Sequence, residues 1–166
     1  MDPVIRISDE VRAAVAARRP VVALESTIFT HGLPRPRNLE VALEAEARLR
    51  AADVVPATVG VLRGVPTVGL STDEITELAT AETVTKLSVR DLPIVVARRL
   101  SGGTTVAATA LLAHRAGVGV FATGGLGGVH RGAQSTFDES ADLVALATGP
   151  ILVVSALAPT VYAFIL

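Results

Sequence analysis

Four short apolar runs, separated by segments with helix signals, restrict the fold of this chain more than any other feature. The runs cover residues 21–24, 57–62, 118–122 and 151–154, and each has the length of a buried strand. The clearest helix lies between the first two runs, over residues 37–52, with apolar residues on one face and charges on the other. Strands that alternate with helices are typical of α/β domains, so we expect an α/β fold with a largely parallel sheet.

Capping signals indicate where other helices begin. Ser8, followed by two acidic residues, marks a helix start. Ser71 with Glu74 forms a capping box that opens a helix over residues 72–80. Further helices are expected over residues 90–100, 104–116 and 140–148.

The composition excludes several classes of protein. The 166 residues suffice for one domain, and a formal net charge of −1 gives no basic footprint, so no nucleic acid partner is expected. The lack of cysteine excludes disulfides, thiolate metal sites and a cysteine nucleophile. With 50% hydrophobic and 19% charged residues, we expect some apolar surface to be covered by a partner or by further chain.

No segment is expected to enter a membrane. The first residues lack the apolar stretch of a secretion signal. Residues 143–166 carry no charge, and their length alone would admit a membrane span. However, Gly149, Pro150 and Pro159 interrupt them and no basic cluster flanks them. A cytoplasmic protein is therefore predicted.

Glu25 is the first candidate for chemistry, because it directly follows the apolar run at residues 21–24. A carboxylate at the end of a buried strand is partly desolvated, which suits a general acid or base. A capping or ion-paired glutamate is the alternative. In parallel sheets ligands gather at the carboxyl ends of strands, so Glu25, residues 124–128 and the segment after Val154 are expected near one edge.

A glycine cluster at residues 124–128 follows the third apolar run. Glycines there let backbone N–H groups approach an anion such as phosphate. His130 stands where a G-x-G-x-x-G motif would have its third glycine, so a dinucleotide site is only weakly supported. His130 and Arg131 either bind phosphate or close the loop.

Lys86 is the only lysine in the chain, since the other 14 of the 15 basic residues are arginines. A compact ammonium or a primary amine is one reason for a single lysine among arginines, and chance is the other. Thr104 and Thr105, at an expected helix start, are a second candidate anion site or a simple cap.

Two aspartates with hydroxyl neighbours form the last candidate site. Asp138 and Asp142 are four residues apart and would share one face of a helix, with Ser140 between them. Such oxygen ligands suit a hard divalent cation. Acidic residues that complement a helix dipole are the alternative.

Long, ordered motifs in this chain resemble those of the pseudouridine-5'-phosphate glycosidases. The resemblance extends from about Val21 to Ser155. It is carried by Val21-Val22-Ala23-Leu24-Glu25-Ser26-Thr27, His31-Gly32, Val55-Pro56-Ala57-Thr58, Val84-Thr85-Lys86-Leu87-Ser88, Arg90-Asp91-Leu92-Pro93, Thr104-Thr105-Val106-Ala107, the run from Phe121 to Gly132, Thr136-Phe137-Asp138 and Ser140-Ala141-Asp142-Leu143.

The resemblance implies a three-layer α/β/α fold, a homotrimer, and reversible cleavage of the C–C glycosidic bond of pseudouridine 5'-phosphate to uracil and ribose 5-phosphate. In that family a lysine attaches to C1' of the opened ribose. By resemblance, Glu25 is the proton donor and Asp138 holds Mn²⁺, largely through waters. The implied substrate contacts are Lys86, the backbone of Val106, and Ser140, Ala141 and Asp142.

The resemblance fails at the end of the chain. Ungapped alignment puts Pro159 at the position of the nucleophilic lysine. We therefore expect a partial glycosidase domain at residues 1–156, incomplete relative to the family, and a divergent apolar tail at residues 157–166. A truncated chain with impaired activity is expected. The alternative is a catalytically inactive module that binds a sugar phosphate, a metal or a partner.

Overall fold

The computed structural model describes residues 4–130 and 132–156. The first half of the chain contains β1 (Arg6–Ile7), α1 (Asp9–Ala16), β2 (Val21–Leu24), a π-helical turn (Ile28–Gly32), α2 (Arg37–Ala51), β3 (Val55–Leu62), β4 (Val65–Val68) and α3 (Thr72–Thr80). The second half contains β5 (Thr85–Leu87), a 3₁₀ turn (Val89–Asp91), α4 (Leu92–Arg98), β6 (Gly102–Thr104), α5 (Val106–Arg115), β7 (Val120–Thr123), α6 (Ala133–Thr136), α7 (Ala141–Thr148) and β8 (Leu152–Ser155).

All eight of these strands form one sheet, in the order β1-β4-β3-β2-β7-β8, with β6 beside β3 and β5 beside β6. Parallel pairs outnumber antiparallel ones: β1–β4, β2–β3, β2–β7, β5–β6 and β7–β8 are parallel, whereas β3–β4 and β3–β6 are antiparallel. The predicted α/β fold with a largely parallel sheet is confirmed.

Helices cover both faces of the sheet. Along β3, Val55, Ala57, Val59 and Val61 point into one core, which they share with residues of α1, α4 and α5. Leu62 points to the opposite face, into a second core formed with α2, α3 and the π-helical turn. Because successive side chains of a strand alternate between faces, β3 joins the two cores. The expected three-layer α/β/α arrangement is confirmed.

β2 and β6 run toward each other along β3 and meet end to end. The first half of β3 pairs with β2 in parallel, from Val21↔Val55 to Leu24↔Thr58. The second half pairs with β6 in antiparallel, through Gly60↔Gly103 and Val61↔Gly102. The carboxyl ends of β2 and β6 therefore face each other opposite Val59, near the middle of β3.

The strongest local signals predicted their elements well. The strand at residues 21–24 and the helix at residues 72–80 have the predicted bounds. Ser71 Oγ accepts a hydrogen bond from the Glu74 N–H (3.3 Å), and a Glu74 carboxylate oxygen accepts one from the Ser71 N–H (2.9 Å), so the capping box is present. Within the described residues, no helix is long and apolar enough to span a membrane.

Two helix predictions were wrong in part. Thr104 belongs to β6, and the helix expected from that residue begins at Val106. Residues 90–100 contain a 3₁₀ turn followed by the shorter helix α4. The sequence analysis also missed β1, β4, β5 and β6, which are short. For β4 a signal existed, because Arg63 and Gly64 form the two-residue, positive-φ turn (φ 49° and 79°) that joins tight hairpins.

Glu46 on α2 predicts a pH dependence of stability. Its side chain is buried and accepts a hydrogen bond from Thr58 Oγ1 (2.5 Å), and burial raises its pKa above the ordinary 4.5 despite that bond. Between pH 4.5 and the raised pKa the folded chain binds more protons than the unfolded chain, so this contribution to stability is lost as pH rises. Glu46→Gln should therefore gain stability over the parent at neutral pH but not at pH 4, as measured by urea unfolding.

Glu44→Gln is the matched control for this prediction. Glu44 is exposed on the same helix and accepts a hydrogen bond from Arg48, which lowers the pKa of Glu44. Its contribution to stability has the opposite pH dependence, so this variant should show no gain at neutral pH. If the stability of both variants changed with pH in the same way, burial of Glu46 would not be the cause of the effect.

Candidate active site

The Glu25 carboxylate lies where β2 ends beside the end of β7. One oxygen accepts a hydrogen bond from Thr27 Oγ1 and the other from Thr123 Oγ1. Thr123 is the last residue of β7, so two neighbouring strand ends hold the group. Glu25 is partly exposed and lines a cavity of about 200 Å³ whose other walls are mainly apolar. The predicted placement of Glu25 beside the glycine cluster is confirmed, since Gly124 lines the same cavity.

A buried group of hydroxyls connects the end of β2 to the end of β6. Ser26 Oγ accepts the Thr104 N–H (2.8 Å) and lies 3.3 Å from Thr104 Oγ1. Thr104 Oγ1 donates to the Val59 carbonyl (2.8 Å) and accepts from Thr109 Oγ1 (2.9 Å). Ser26, Thr104 and Thr109 are fully buried. These bonds satisfy polar groups where the two strand ends meet.

Asp142 connects the start of α5 to the glycine cluster. Its Oδ1 accepts the Ala107 N–H (2.9 Å), and its Oδ2 accepts the Gly127 N–H (2.8 Å). Ser140 is the N-cap of α7, where its Oγ accepts the Asp142 N–H (3.2 Å). The negative carboxylate of Asp142 thus interacts favourably with the positive end of the α5 dipole, although Asp142 is not part of α5. Thr105 occupies the N-cap position of α5, but its hydroxyl is buried and makes no hydrogen bond within the described residues.

Lys86 lies in β5, and Val106 is the first residue of α5. The Thr105 N–H donates to the carbonyl of Leu87, the residue after Lys86 (2.9 Å). Lys86 lies opposite Gly103 in β6, so its side chain leaves the sheet on the face where Thr30 covers Gly103. Lys86 is exposed, and its ammonium group has no ion pair or hydrogen bond within the part of the chain that the structure describes. The structure therefore places Val106, Ser140 and Asp142 at one helix N-terminus. The Lys86 side chain points to the other face of the sheet from its neighbour Leu87, which is buried in the core shared with α5.

Asp138 is separate from Asp142, and the prediction that the two share a helix face was wrong. Asp138 precedes α7, where its carbonyl accepts the His130 N–H (3.1 Å) and its Oδ2 lies 2.8 Å from His130 Nδ1. Phe137, just before it, has a positive φ (54°) and ends α6. Backbone pairing with the glycine-rich loop thus keeps Asp138 extended and exposed.

The described residues contain no group of three or more histidine, aspartate or glutamate side chains able to hold a metal. Asp138 offers one carboxylate oxygen beyond its contact with His130. Such a donor set fits a hydrated cation that keeps most of its waters, and does not fit a closed protein cage. Arg131 and Pro159, both named from the sequence, lie outside the described residues.

Thr27 and Thr123 were missed as partners of Glu25. Thr27 stands two residues after Glu25 in the same motif, so a short-range signal existed. Thr123 is 98 residues from Glu25 along the chain, and only the parallel pairing of β2 with β7 brings the two together. The sheet order, which the sequence analysis did not predict, was needed to find it.

Comparisons with known proteins agree on one family. Residues 10–161 match the family model described as indigoidine synthase A like protein. A protein of Saccharopolyspora erythraea named pseudouridine-5'-phosphate glycosidase is 69% identical over 150 residues, which are 90% of this chain and 50% of that protein. A protein of Frankia alni with the same name is 60% identical over 152 residues, 92% of this chain and 42% of that protein. The chain thus spans about half the length of the curated relatives it matches.

Solved structures give the same result. The prealnumycin C-glycosynthase AlnA, in complex with ribulose 5-phosphate, matches with a TM-score of 0.84 and 41% identity over 95% of this chain and 51% of its own. An indigoidine synthase A-like protein of Thermotoga maritima matches with a TM-score of 0.82 and 35% identity over 94% of this chain and 50% of its own.

The double role of Asp142 predicts a specific loss in Asp142→Asn. An amide has a single acceptor oxygen, so either the Ala107 or the Gly127 N–H loses its partner. We expect faster hydrogen exchange at that amide and a loss of about 1–3 kcal/mol in unfolding free energy. Asp138→Asn, at an exposed position in metal-free buffer, is the control and should change stability little. Equal losses in both variants would contradict the role of Asp142.

Proposed function

Because the chain belongs to the indigoidine synthase A like family, we propose that it acts in a pseudouridine-5'-phosphate glycosidase. The reaction is reversible cleavage of the C–C glycosidic bond of pseudouridine 5'-phosphate, which gives uracil and ribose 5-phosphate. The identity to relatives of that name is the observation that carries the proposal. A reaction on a phosphorylated nucleotide is consistent with the cytoplasmic location expected from the sequence.

Glu25 is the proposed proton donor. When the bond between C1' and the base breaks, the base carbon that leaves must take up a proton. Glu25 is a carboxyl group held at a cavity whose lining includes Ile28, Phe29 and Ala122, and an apolar wall limits competition from water. General acid catalysis by a positioned group of this kind typically contributes about 10²–10⁴-fold to the rate.

The start of α5 is the proposed binding site for the ribose phosphate. Backbone N–H groups and the helix dipole favour an anion there, and the Val106 N–H belongs to the first residue of α5. Lys86 supplies a compact cation on the neighbouring strand, with no ion pair in the described residues to compete for it. Ser140, Ala141 and Asp142 are the further proposed contacts, and the Asp142 carboxylate accepts the Ala107 N–H in the first turn of α5. The sugar phosphate bound by the related AlnA supports this ligand class.

Mn²⁺ is the proposed metal, held through waters by Asp138. One free carboxylate oxygen at an exposed position suits such a cation. When bound, the cation would supply positive charge near the anionic substrate, and Asp138 would fix its position.

A homotrimer is the proposed assembly. Apolar side chains on α7 and β8 remain exposed, namely Val144 (67%), Leu152 (64%) and Val154 (57%). Within the described residues β8 pairs only with β7, so its other edge is open. These surfaces support the expectation that this side of the molecule is covered by further protein.

The second candidate function is a catalytically inactive module that binds a sugar phosphate or a metal. Pro159 favours it, because the proline nitrogen lies in a backbone amide and offers no free amine for attachment to C1'. The helix start, Lys86 and Asp138 do not depend on that residue for binding.

Uracil release separates the two functions. The 166-residue chain should release no uracil from pseudouridine 5'-phosphate, because Pro159 cannot form the C1' adduct. Release is followed by chromatography, with borohydride added to trap any adduct. Steady release with an adduct trapped on Lys86 would contradict the expected loss and show that Lys86 acts as the nucleophile.

A version restored to the glycine-x-lysine pattern of the family and to the length of its relatives is the positive control. It should release uracil, and Glu25→Gln in that version should lose about 10²–10⁴-fold in rate. If the restored version is also inactive while ribose 5-phosphate still binds, the glycosidase proposal fails and the binding module is supported.

Mn²⁺ binding tests the metal assignment. Asp138→Ala should abolish the Mn²⁺ binding heat that calorimetry detects for the parent, because the variant lacks the carboxylate that orders the cation's waters. Glu139→Ala, which removes an equally exposed neighbouring acid, should bind as the parent does. Equal affinity in the parent and Asp138→Ala would remove the assignment.

A further inference from the structure

The two oxygens of Glu25 are held by hydroxyls from two different parts of the sheet. Thr27 is buried (8% exposed) in the turn after β2, and Thr123 ends β7. Thr27 Oγ1 contacts Oε2 and Thr123 Oγ1 contacts Oε1, so each oxygen has one threonine partner. A carboxyl group fixed at both oxygens by separate elements has one orientation, which aims it into the cavity it lines.

Each of these hydroxyls has a second acceptor within reach. Thr27 Oγ1 lies 3.3 Å from the Thr104 carbonyl oxygen, and Thr123 Oγ1 lies 3.1 Å from the Gly125 carbonyl oxygen. A hydroxyl has one proton to donate and two lone pairs that accept. It can therefore donate to an ionised carboxylate, or turn its proton to the backbone carbonyl and accept from a protonated carboxyl.

We propose that Thr27 and Thr123 are positioning residues that hold Glu25 in one orientation in both of its protonation states. The inference rests on the proposed function in assigning proton donation to Glu25. A protonated Glu25 carries its proton on one oxygen, so only the hydroxyl at that oxygen turns its own proton to its backbone carbonyl, and the other hydroxyl goes on donating to the second oxygen. When the proton leaves Glu25 for the substrate, the turned hydroxyl rotates back and donates to the carboxylate. The reverse transfer turns that hydroxyl away again, so at least one threonine donates to Glu25 in each state and its side chain does not move.

The surroundings of Glu25 make these hydroxyls its main source of stabilisation. No other residue that lines the cavity carries a titratable side chain. Behind the lining, Glu46 is bonded to Thr58 on the cavity wall, and burial raises the pKa of Glu46. Because hydrogen bonds to the ionised form favour that form, loss of either hydroxyl should shift the titration of Glu25 to higher pH.

An NMR titration of the Glu25 carboxyl carbon in the whole chain tests the proposal. Glu25→Gln assigns the resonance, and Glu46→Gln removes the overlapping titration of Glu46. Thr27→Val and Thr123→Val keep the shape of threonine without its hydroxyl. In each variant the carboxyl signal should change at higher pH than in the parent, because a hydrogen bond to the ionised form has been removed. Thr27→Ser and Thr123→Ser restore the hydroxyl and should return the midpoint to that of the parent.

Thr76→Val is the matched control, because the Thr76 hydroxyl donates to the Thr72 carbonyl within α3 and, among the described residues, has no hydrogen bond to Glu25. Midpoints in both valine variants equal to the parent would overturn the proposal, as would serine variants that shift like the valine ones. The titration requires no turnover, so its outcome is independent of uracil release. A shifted midpoint in the version with the restored tail, together with no uracil release from that version, would sustain the positioning role and reject only the glycosidase function.

Discussion

The contact between Ser26 and Thr104 is the interaction on which the rest of this structure depends. β2 and β6 approach each other end to end along β3, so their last backbone groups are buried with no neighbouring strand to pair with. Ser26 Oγ accepts the Thr104 N–H, and Thr104 Oγ1 reaches the Val59 carbonyl, so side-chain oxygens take the place of missing ladder partners. Without these bonds the junction would leave polar groups unpaired inside the protein, at a cost of about 1–3 kcal/mol each.

The same junction explains why chemistry is concentrated there. In a regular parallel sheet all carboxyl ends lie on one edge, and a substrate meets them from one side only. Here a strand that runs the opposite way brings its own carboxyl end, and the helix start that follows it, against the end of β2. Glu25 and the N-terminus of α5 thus lie at the same junction, where Thr27 contacts the Thr104 carbonyl. The proposed acid and the positive end of a helix can therefore act on opposite parts of one small molecule.

Sequence signals predicted the elements that depend on local interactions and missed those that depend on pairing. The capping box of α3 and the apolar run of β2 are complete within a few residues, so both were located correctly. β6 consists of two glycines and a threonine, and its partner Val61 lies 41 residues earlier, so no local pattern marks it as a strand. At the candidate site, Glu25 was predicted because it follows an apolar strand, whereas finding Thr123 required the order of the strands in the sheet. Asp138 remains a predicted metal ligand, and the expectation that it lies on a helix face with Asp142 was wrong, because spacing alone does not reveal backbone pairing with residues 128–130.

Gly103 shows that the meeting of β2 and β6 also restricts which side chains fit at neighbouring positions. A Cβ atom at this position would lie 2.2 Å from Thr30 Oγ1, in the turn that begins three residues after Glu25. Thr30 in turn donates to the Ser26 carbonyl (2.9 Å), so any side chain added at Gly103 would press on the backbone that carries the acid. A scan that ranks positions by their intolerance to substitution would place Gly103 beside Glu25. In such a scan, a steric collision inside the sheet would look like the loss of a functional residue.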